Sequence, residues 1–151
     1  MSGTPAPVRA TSSDAAEVLV LQRCCWVGEA IANNDLTIPA LRETPDQVQT
    51  WMADAWVLRE GGRLIGAVRA TLDGDTWKIG RLMVAPDRQG EGLGGMLLRH
   101  AERHAPAGAA WFELFTGAAS FGNLDRYRHA GYQEVFRSGG LVVLRKPVSP
   151  S

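Results

Sequence analysis

The spacing of apolar residues alternates between helical and strand-like along the chain, and each change marks an expected element. Apolar side chains recur at helical intervals from residue 14 to 32, behind two serines able to cap a first helix. A short strand is expected before it, at residues 8–11. Thr44-Pro45-Asp46-Gln47 has the form of a capping box with proline at the first helical position, which predicts a second helix over about 45–54.

The next segment has the alternation and turn signals of β-strands. Gly61-Gly62 and Asp73-Gly74-Asp75 are turn sequences that separate three apolar runs. The segment therefore predicts an antiparallel meander with strands at residues 55–59, 64–71 and 77–84.

The last third of the chain returns to helices and strands in alternation. It predicts an amphipathic helix over 93–105, a buried strand over 110–116, a short helix over 120–130 and a final hairpin of strands 132–137 and 141–145. The order β-α-α-β-β-β-α-β-α-β-β indicates a mixed α/β fold of the α+β type. Its sheet, of about six to seven mostly antiparallel strands, should carry helices on both faces.

Length and composition fit one domain, expected over residues 8–146 between flexible tails at 1–7 and 147–151. The formal net charge is zero, which argues against binding to nucleic acid or to anionic membrane as the main task. No apolar run is long enough to span a membrane, and the N-terminus lacks the features of a signal peptide. Cys24 and Cys25 are adjacent and poorly placed for a structural disulfide, so a cytoplasmic protein is expected.

Candidate chemistry begins at a glycine-rich segment between the strand 77–84 and the helix 93–105. Glycine allows successive backbone N–H groups to converge on one point and allows a phosphate to approach closely. The helix that follows adds the positive end of its dipole. A tight turn would need one or two glycines, whereas four are present, namely Gly90, Gly92, Gly94 and Gly95.

Three phosphate-binding patterns compete for this segment. A P-loop requires Lys followed by Ser or Thr after the last glycine, but Met96-Leu97 follows Gly95. The dinucleotide fingerprint GxGxxG matches residues 90–95, yet it normally occupies the first turn of a βαβ unit, and here an antiparallel meander precedes it. The third pattern is Gln/Arg-x-x-Gly-x-Gly/Ala, present as residues 89–94 after Val84-Ala85-Pro86.

This third pattern resembles the acetyl-CoA-binding motif of the GNAT superfamily of N-acyltransferases. The resemblance implies the GNAT fold, with a sheet splayed in the middle between strands 77–84 and 110–116. It also implies acetyl-CoA as co-substrate and no metal. The pantetheine arm would pair with the backbone of Leu82, Met83 and Val84 as an added strand. The pyrophosphate would be held by the backbone of Gln89, Gly90, Glu91, Gly92, Leu93, Gly94 and Gly95.

A second segment resembles the other signature of the same superfamily, a helix with Asn and Tyr followed by Gly-Phe/Tyr. Here it reads Asn123, Tyr127 and Gly131-Tyr132. In many members the Asn lies seven residues before the Tyr, a position that Ser120 holds in this chain. Ser120 and Asn123 are thus both candidates for cofactor contact. Tyr127 is the expected general acid that protonates the leaving thiolate.

The sequence leaves two carboxylates as alternatives for the general base. The strand 77–84 offers no acidic residue, so Glu113 on the strand 110–116 and Glu29 near the end of the first helix are the candidates. Trp26 could help to wall the acceptor pocket. The three histidines show no metal-ligand grouping.

The acceptor is expected to be a small-molecule amine or a peptide. A catalytically weak acyl-CoA-binding protein, acting as a sensor or structural module, is the alternative function. Homodimers are common in the superfamily, and the sequence leaves the oligomeric state open.

Overall fold

The computed structural model describes residues 5–35 and 37–149, and the predicted tails 1–7 and 147–151 lie partly outside them. Seven strands form one sheet. In chain order they are β1 (Val8–Arg9), β2 (Ala55–Glu60), β3 (Arg63–Asp73), β4 (Thr76–Val84), β5 (Trp111–Gly117), β6 (Gln133–Ser138) and β7 (Leu141–Pro147).

The strand order across the sheet is β1-β2-β3-β4-β5-β7-β6. All neighbours are antiparallel except β4 and β5, which run parallel and pair only where Thr76, Trp77 and Lys78 face Trp111, Phe112 and Glu113. Beyond these three pairs the two strands separate. The mixed, mostly antiparallel sheet splayed at its centre is the predicted fold class, which is therefore confirmed.

Five α-helices accompany the sheet: α1 (Ala15–Ala32), α2 (Pro39–Arg42), α3 (Pro45–Gln49), α4 (Leu93–Arg103) and α5 (Phe121–His129). Helices α1 and α4 both contact the central strands β3 and β4. None of the described helices has the length and hydropathy needed to cross a membrane.

The packing of the core is tightest where α4 lies against the central strands. Gly66 in β3 leaves room for Leu97 of α4, since a Cβ at this position would lie 2.9 Å from Leu97 Cδ1. The Trp77 indole also donates a hydrogen bond to the Ala101 carbonyl over 2.8 Å. These contacts fix β4, and with it the glycine-rich segment, against α4.

The predicted helix over 45–54 is wrong in its second half. Helix α3 ends at Gln49, and a 3-10 turn at Met52–Asp54 follows. The physical reason is the burial of Trp51, which is 2% exposed and leaves helical geometry at φ −114° and ψ 8°. The capping box at Thr44 and Gln47 forms as predicted. Helix α2 was not predicted, because four residues are too few for periodicity to show.

Candidate active site

A cavity of about 610 Å³ occupies the gap between the splayed strands β4 and β5. The glycine-rich segment lines it, together with residues of α1 and α5 that include Glu29 and Tyr127. The sides are formed by the ends of the two strands, Leu82–Val84 on β4 and Leu114–Gly117 on β5. Two predicted motifs that are about forty residues apart in sequence thus face one space.

Two glycines of the glycine-rich segment adopt the left-handed backbone conformation that glycine permits. Gly90 and Gly92 have φ of +85° and +83°, and Gly92 caps α4. The first amides of α4, from Leu93 to Gly95, have no carbonyl one turn earlier in the helix to bond. Gly90, Gly92, Gly94 and Gly95 all line the cavity, so backbone donors and the positive end of α4 can serve an anion there.

Strand β4 presents an unpaired backbone edge to the cavity. From Ile79 onward its side toward β5 has no strand partner, because the pairing stops at Lys78. The Val84 carbonyl accepts weak hydrogen bonds from Cys25 Sγ at 3.2 Å and Gln89 Nε2 at 3.4 Å, and both of these residues line the cavity. Such an edge can pair with an extended, amide-bearing chain as another strand would.

Helix α1 contributes Cys25, Glu29 and Asn33, which are spaced by four residues and therefore share one helix face. The Glu29 carboxylate accepts hydrogen bonds from the Ser120 hydroxyl and from Asn123 Nδ2, the latter over 3.1 Å. Asn33 in turn donates to Ser120 Oγ over 3.1 Å and accepts from the Ala119 amide over 3.0 Å. Glu29 is thus held in a fixed position between α1 and α5.

Tyr127 lies one helical turn after Asn123 on α5, and both side chains line the cavity. The residue is 7% exposed, and burial raises the pKa of Tyr127 to about 12. The positive charge of Arg126 opposes this rise in pKa, while the negative charge of Glu29 adds to it. The phenol therefore keeps its proton throughout the neutral range.

Three of the remaining predicted site residues, Glu113, Ser120 and Glu91, are not part of the cavity wall. Glu113 forms ion pairs with Arg145 at 3.0 Å and Lys78 at 4.0 Å, and it is not part of the cavity wall. Ser120 is buried behind Glu29. Glu91 turns its side chain toward Arg88 at 2.9 Å. Leu82, Met83, Gln89 and Leu93 line the cavity.

Several residues of the cavity wall carried no recognisable signal in the sequence. Arg88 and Arg126 place guanidinium groups near the glycine-rich segment, and Arg81 lines the opposite part of the wall. Arg81 has φ of +49° at a bulge in β4, where the pairing with β3 slips between Ala67 and Arg69. A bulge changes the direction of a side chain but needs no particular amino-acid pattern, so nothing in the sequence marks Arg81. Trp26 lines the cavity as predicted.

Within the described ranges, no group of three His, Cys, Asp or Glu side chains is arranged to hold a metal ion.

The comparisons with known proteins agree with the overall fold. The PaiA N-acetyltransferase from Thermoplasma acidophilum, solved in complex with coenzyme A, superimposes with a TM-score of 0.86 at 14% identity, covering 96% of this chain and 99% of that one. The ribosomal-protein-S18-alanine N-acetyltransferase from Escherichia coli gives a TM-score of 0.75 at 16% identity, with 98% and 96% covered.

A third similar structure is N-acetylglutamate synthase from Neisseria gonorrhoeae, solved with coenzyme A and N-acetyl-glutamate. It gives a TM-score of 0.78 at 16% identity over 99% of this chain and 36% of that chain. A search of curated proteins by sequence gives no match. The sequence profile of the Acetyltransferase (GNAT) family matches residues 18–132, which include the β4 edge, the glycine-rich segment and the Tyr127 helix. The chain therefore belongs to the GNAT acetyltransferase family.

Proposed function

We propose that this protein transfers an acetyl group from acetyl-CoA to a primary amine by direct attack within a ternary complex. The observation that carries the proposal is the single cavity that joins the glycine-rich segment, the open β4 edge and the Glu29–Tyr127 end. Its wall combines what an acyl-CoA requires, namely backbone donors for the phosphates, a free strand edge for the amides and ionisable side chains for the transfer.

The donor would bind through contacts that the described residues already offer. The pyrophosphate fits the amides at the start of α4, with Arg126 supplying positive charge beside Gly94. The pantetheine amides fit the free edge of β4 at residues 82–84. This places the thioester between the ends of β4 and β5, beside Tyr127.

Glu29 and Tyr127 would divide the two proton transfers between them. The amine nitrogen attacks the thioester carbonyl, and its proton passes to the Glu29 carboxylate, which Ser120 and Asn123 hold in place. The carbon–sulfur bond then breaks, and the Tyr127 hydroxyl protonates the departing thiolate. The products are the acetylated amine and free CoA. Glu113 is left out of this scheme because Arg145 and Lys78 engage it elsewhere.

A covalent route through Cys25 is chemically disfavoured. Its sulfur lies in the cavity wall, but burial raises the pKa of Cys25 to about 11. The reactive form of a cysteine is the thiolate, and at neutral pH this thiol keeps its proton. A direct transfer should give intersecting lines in initial-rate plots against both substrates, whereas an acyl-cysteine intermediate would give parallel lines.

The test is the release of free thiol from acetyl-CoA in the presence of a panel of amines, peptides and amino acids. We expect amine-dependent thiol release together with an acetylated product in the mass spectrum. Binding of acetyl-CoA without release of thiol by any amine would contradict the transfer activity and indicate an acyl-CoA-binding module. Absence of any shift in melting temperature with CoA would contradict the assignment of the cavity itself.

A further inference from the structure

A second cavity, of about 560 Å³, adjoins the first. It lies between α2, α3 and the sheet, and two residues, Pro39 and Arg81, line both cavities. The second cavity thus adjoins the first beside Pro39 and Arg81 and not beside the glycine-rich segment, none of whose residues lines it.

Positive charge dominates the wall of this second cavity. Its charged lining residues are Arg42, Arg69, Arg81 and Glu43. The Glu43 carboxylate is already engaged, because it accepts hydrogen bonds from Gln22 Nε2 at 2.8 Å, from Trp51 Nε1 at 3.2 Å and from Arg81 at 3.4 Å. The negative charge of Glu43 therefore offsets the positive charge of Arg81. No carboxylate in the wall offsets the other two arginines, Arg42 at the exposed rim and Arg69 deeper in the wall.

Two arginine nitrogens in this wall are buried without an acceptor. Both Arg69 Nε and Arg81 Nε lack a hydrogen-bond partner. Buried donors of this kind are rare, and each destabilises the protein while it stays unsatisfied. The Arg69 guanidinium is also held over the Trp51 ring, with Cζ 5.6 Å from the ring centroid. Arg69 and Arg81 both line the second cavity, so an anionic ligand there can accept hydrogen bonds from the terminal nitrogens of their guanidinium groups.

The first cavity has the opposite charge at its acceptor end. Glu29 and Asp35 line it there, and Glu29 is the proposed base for the incoming amine. A ligand that reached from Glu29 past Arg81 into the second cavity would meet a negative wall first and a positive wall next.

We propose that the acetyl acceptor is an amine that also carries a carboxylate, of the amino-acid or short-peptide type. Its amine lies beside Glu29, and its carboxylate is bound by Arg69 and Arg81 in the second cavity. The two oxygens of a carboxylate match the forked donors of a guanidinium group. The single negative charge of the ligand would balance Arg69, the inner arginine whose charge Glu43 does not offset. This inference rests on the proposed acetyl transfer.

Matched pairs of acceptors test the inference, each an amino acid and its carboxamide, with free CoA measured at pH 8. Removing the carboxylate lowers the pKa of the amine, so the carboxamide holds more of the reactive free base. A preference for the acid therefore cannot come from amine basicity. We expect kcat/KM for the acid to exceed that for the carboxamide by about tenfold to a hundredfold, the size of a charged hydrogen bond.

Two variants locate the source of this preference. Arg69→Gln should lower the acid-to-carboxamide ratio at least about tenfold, mainly through KM for the acid. Arg69→Lys should restore part of the ratio, because it keeps the charge but loses the forked geometry. Arg23→Gln, which removes an exposed arginine of α1 outside both cavities, should leave the ratio unchanged.

Each contrary outcome has a distinct meaning. Turnover of carboxamides as fast as acids would overturn the carboxylate site and leave the acetyl transfer intact. A phosphate-bearing amine that outperforms every acid would overturn the choice of carboxylate. An equal loss for acid and carboxamide in Arg69→Gln would show that Arg69 only supports the fold. Thiol release in the absence of any amine would contradict both the proposed acetyl transfer and the proposed acceptor.

Discussion

Tyr127 is the residue on which the proposed chemistry depends. Burial in the cavity affects both its hydroxyl, which donates the proton, and the thiolate that would receive it. Its pKa of about 12 exceeds that of a thiol in water, about 8.5, which alone would make proton transfer to a thiolate unfavourable. The same cavity raises the pKa of the Cys25 thiol to about 11 by burial. A CoA thiolate formed in the proposed transfer would also lose hydration in this cavity, and desolvation would raise its basicity toward that of the phenol.

Replacing Tyr127 by Phe should lower kcat by about a hundredfold to ten-thousandfold, because it removes the proton donor and leaves the ring in place. The KM for acetyl-CoA should change little. The control is Tyr132→Phe, which loses a 2.6 Å hydrogen bond to Glu102 away from the cavity and should keep its kcat. Equal values of kcat for Tyr127→Phe and Tyr132→Phe would show that Tyr127 takes no part in the proton transfer.

The pH profile of the wild-type enzyme gives a second check on Tyr127. From about pH 6 to 9, kcat/KM should rise as the acceptor amine loses its proton. It should not fall again within this range, because the phenol, with a pKa of about 12, stays protonated. A descending limb near neutral pH, absent in Tyr127→Phe, would contradict the high pKa of this tyrosine.

At the scale of elements, the glycine-rich segment and α4 act as one unit. Gly92 occupies the left-handed region at φ +83° and begins the helix, so its conformation decides where the first amides of α4 point. A side chain at Gly92 would meet no atom within 4 Å in the protein itself. The consequence of a substitution is therefore backbone strain and loss of the space above the loop, where the phosphates are proposed to bind.

Gly92→Val should abolish measurable CoA binding at concentrations that saturate the wild type. Gly74→Val is the matched control, because Gly74 also has a positive φ, of +62°, and open space around it, but lies in the β3–β4 turn away from the cavity. Both variants should lose similar stability, and only Gly92→Val should lose the shift in melting temperature that CoA produces. Retained binding in Gly92→Val would place the phosphates elsewhere.

At the scale of the whole molecule, α4 packs tightly against β3 and β4, and β4 forms one side of the gap in the sheet. Gly66 is the point of closest approach. A Cβ there would lie 2.9 Å from Leu97 Cδ1 and 3.2 Å from the Met83 carbonyl oxygen, and Met83 lies in the wall of the active-site cavity. Overpacking at this position would thus strain both the core and the site.

Gly66→Ala should lower the free energy of unfolding by about 1–3 kcal/mol, as measured by urea denaturation. Gly80→Ala is the matched control, since Gly80 also lies in a central strand but a Cβ there meets nothing within 4 Å. It should be close to neutral. A Gly66→Ala protein as stable as Gly80→Ala would show that α4 can shift away from β3 at little cost.

Much of the fold follows from local pattern. The seven strands, the long first helix and the helix after the glycine-rich segment were all predictable, because alternation, helical spacing and turn glycines report local backbone preferences. Helix α3 was overextended because burial of Trp51 overrode the local preference. The glycine-rich segment and the Tyr127 helix were predictable for a different reason, since they resemble family motifs.

The amino-acid sequence by itself determined the family, the donor-binding segment and the candidacy of Tyr127, since each resides in a short contiguous stretch. Only the tertiary structure decided between Glu29 and Glu113 as the carboxylate at the cavity, because ion pairing and strand geometry draw on distant segments. It alone brought together Arg69, Arg81 and Trp51, which lie on separate elements. Such sites depend on a β-bulge and on side-chain packing, neither of which leaves a periodic signal in the chain.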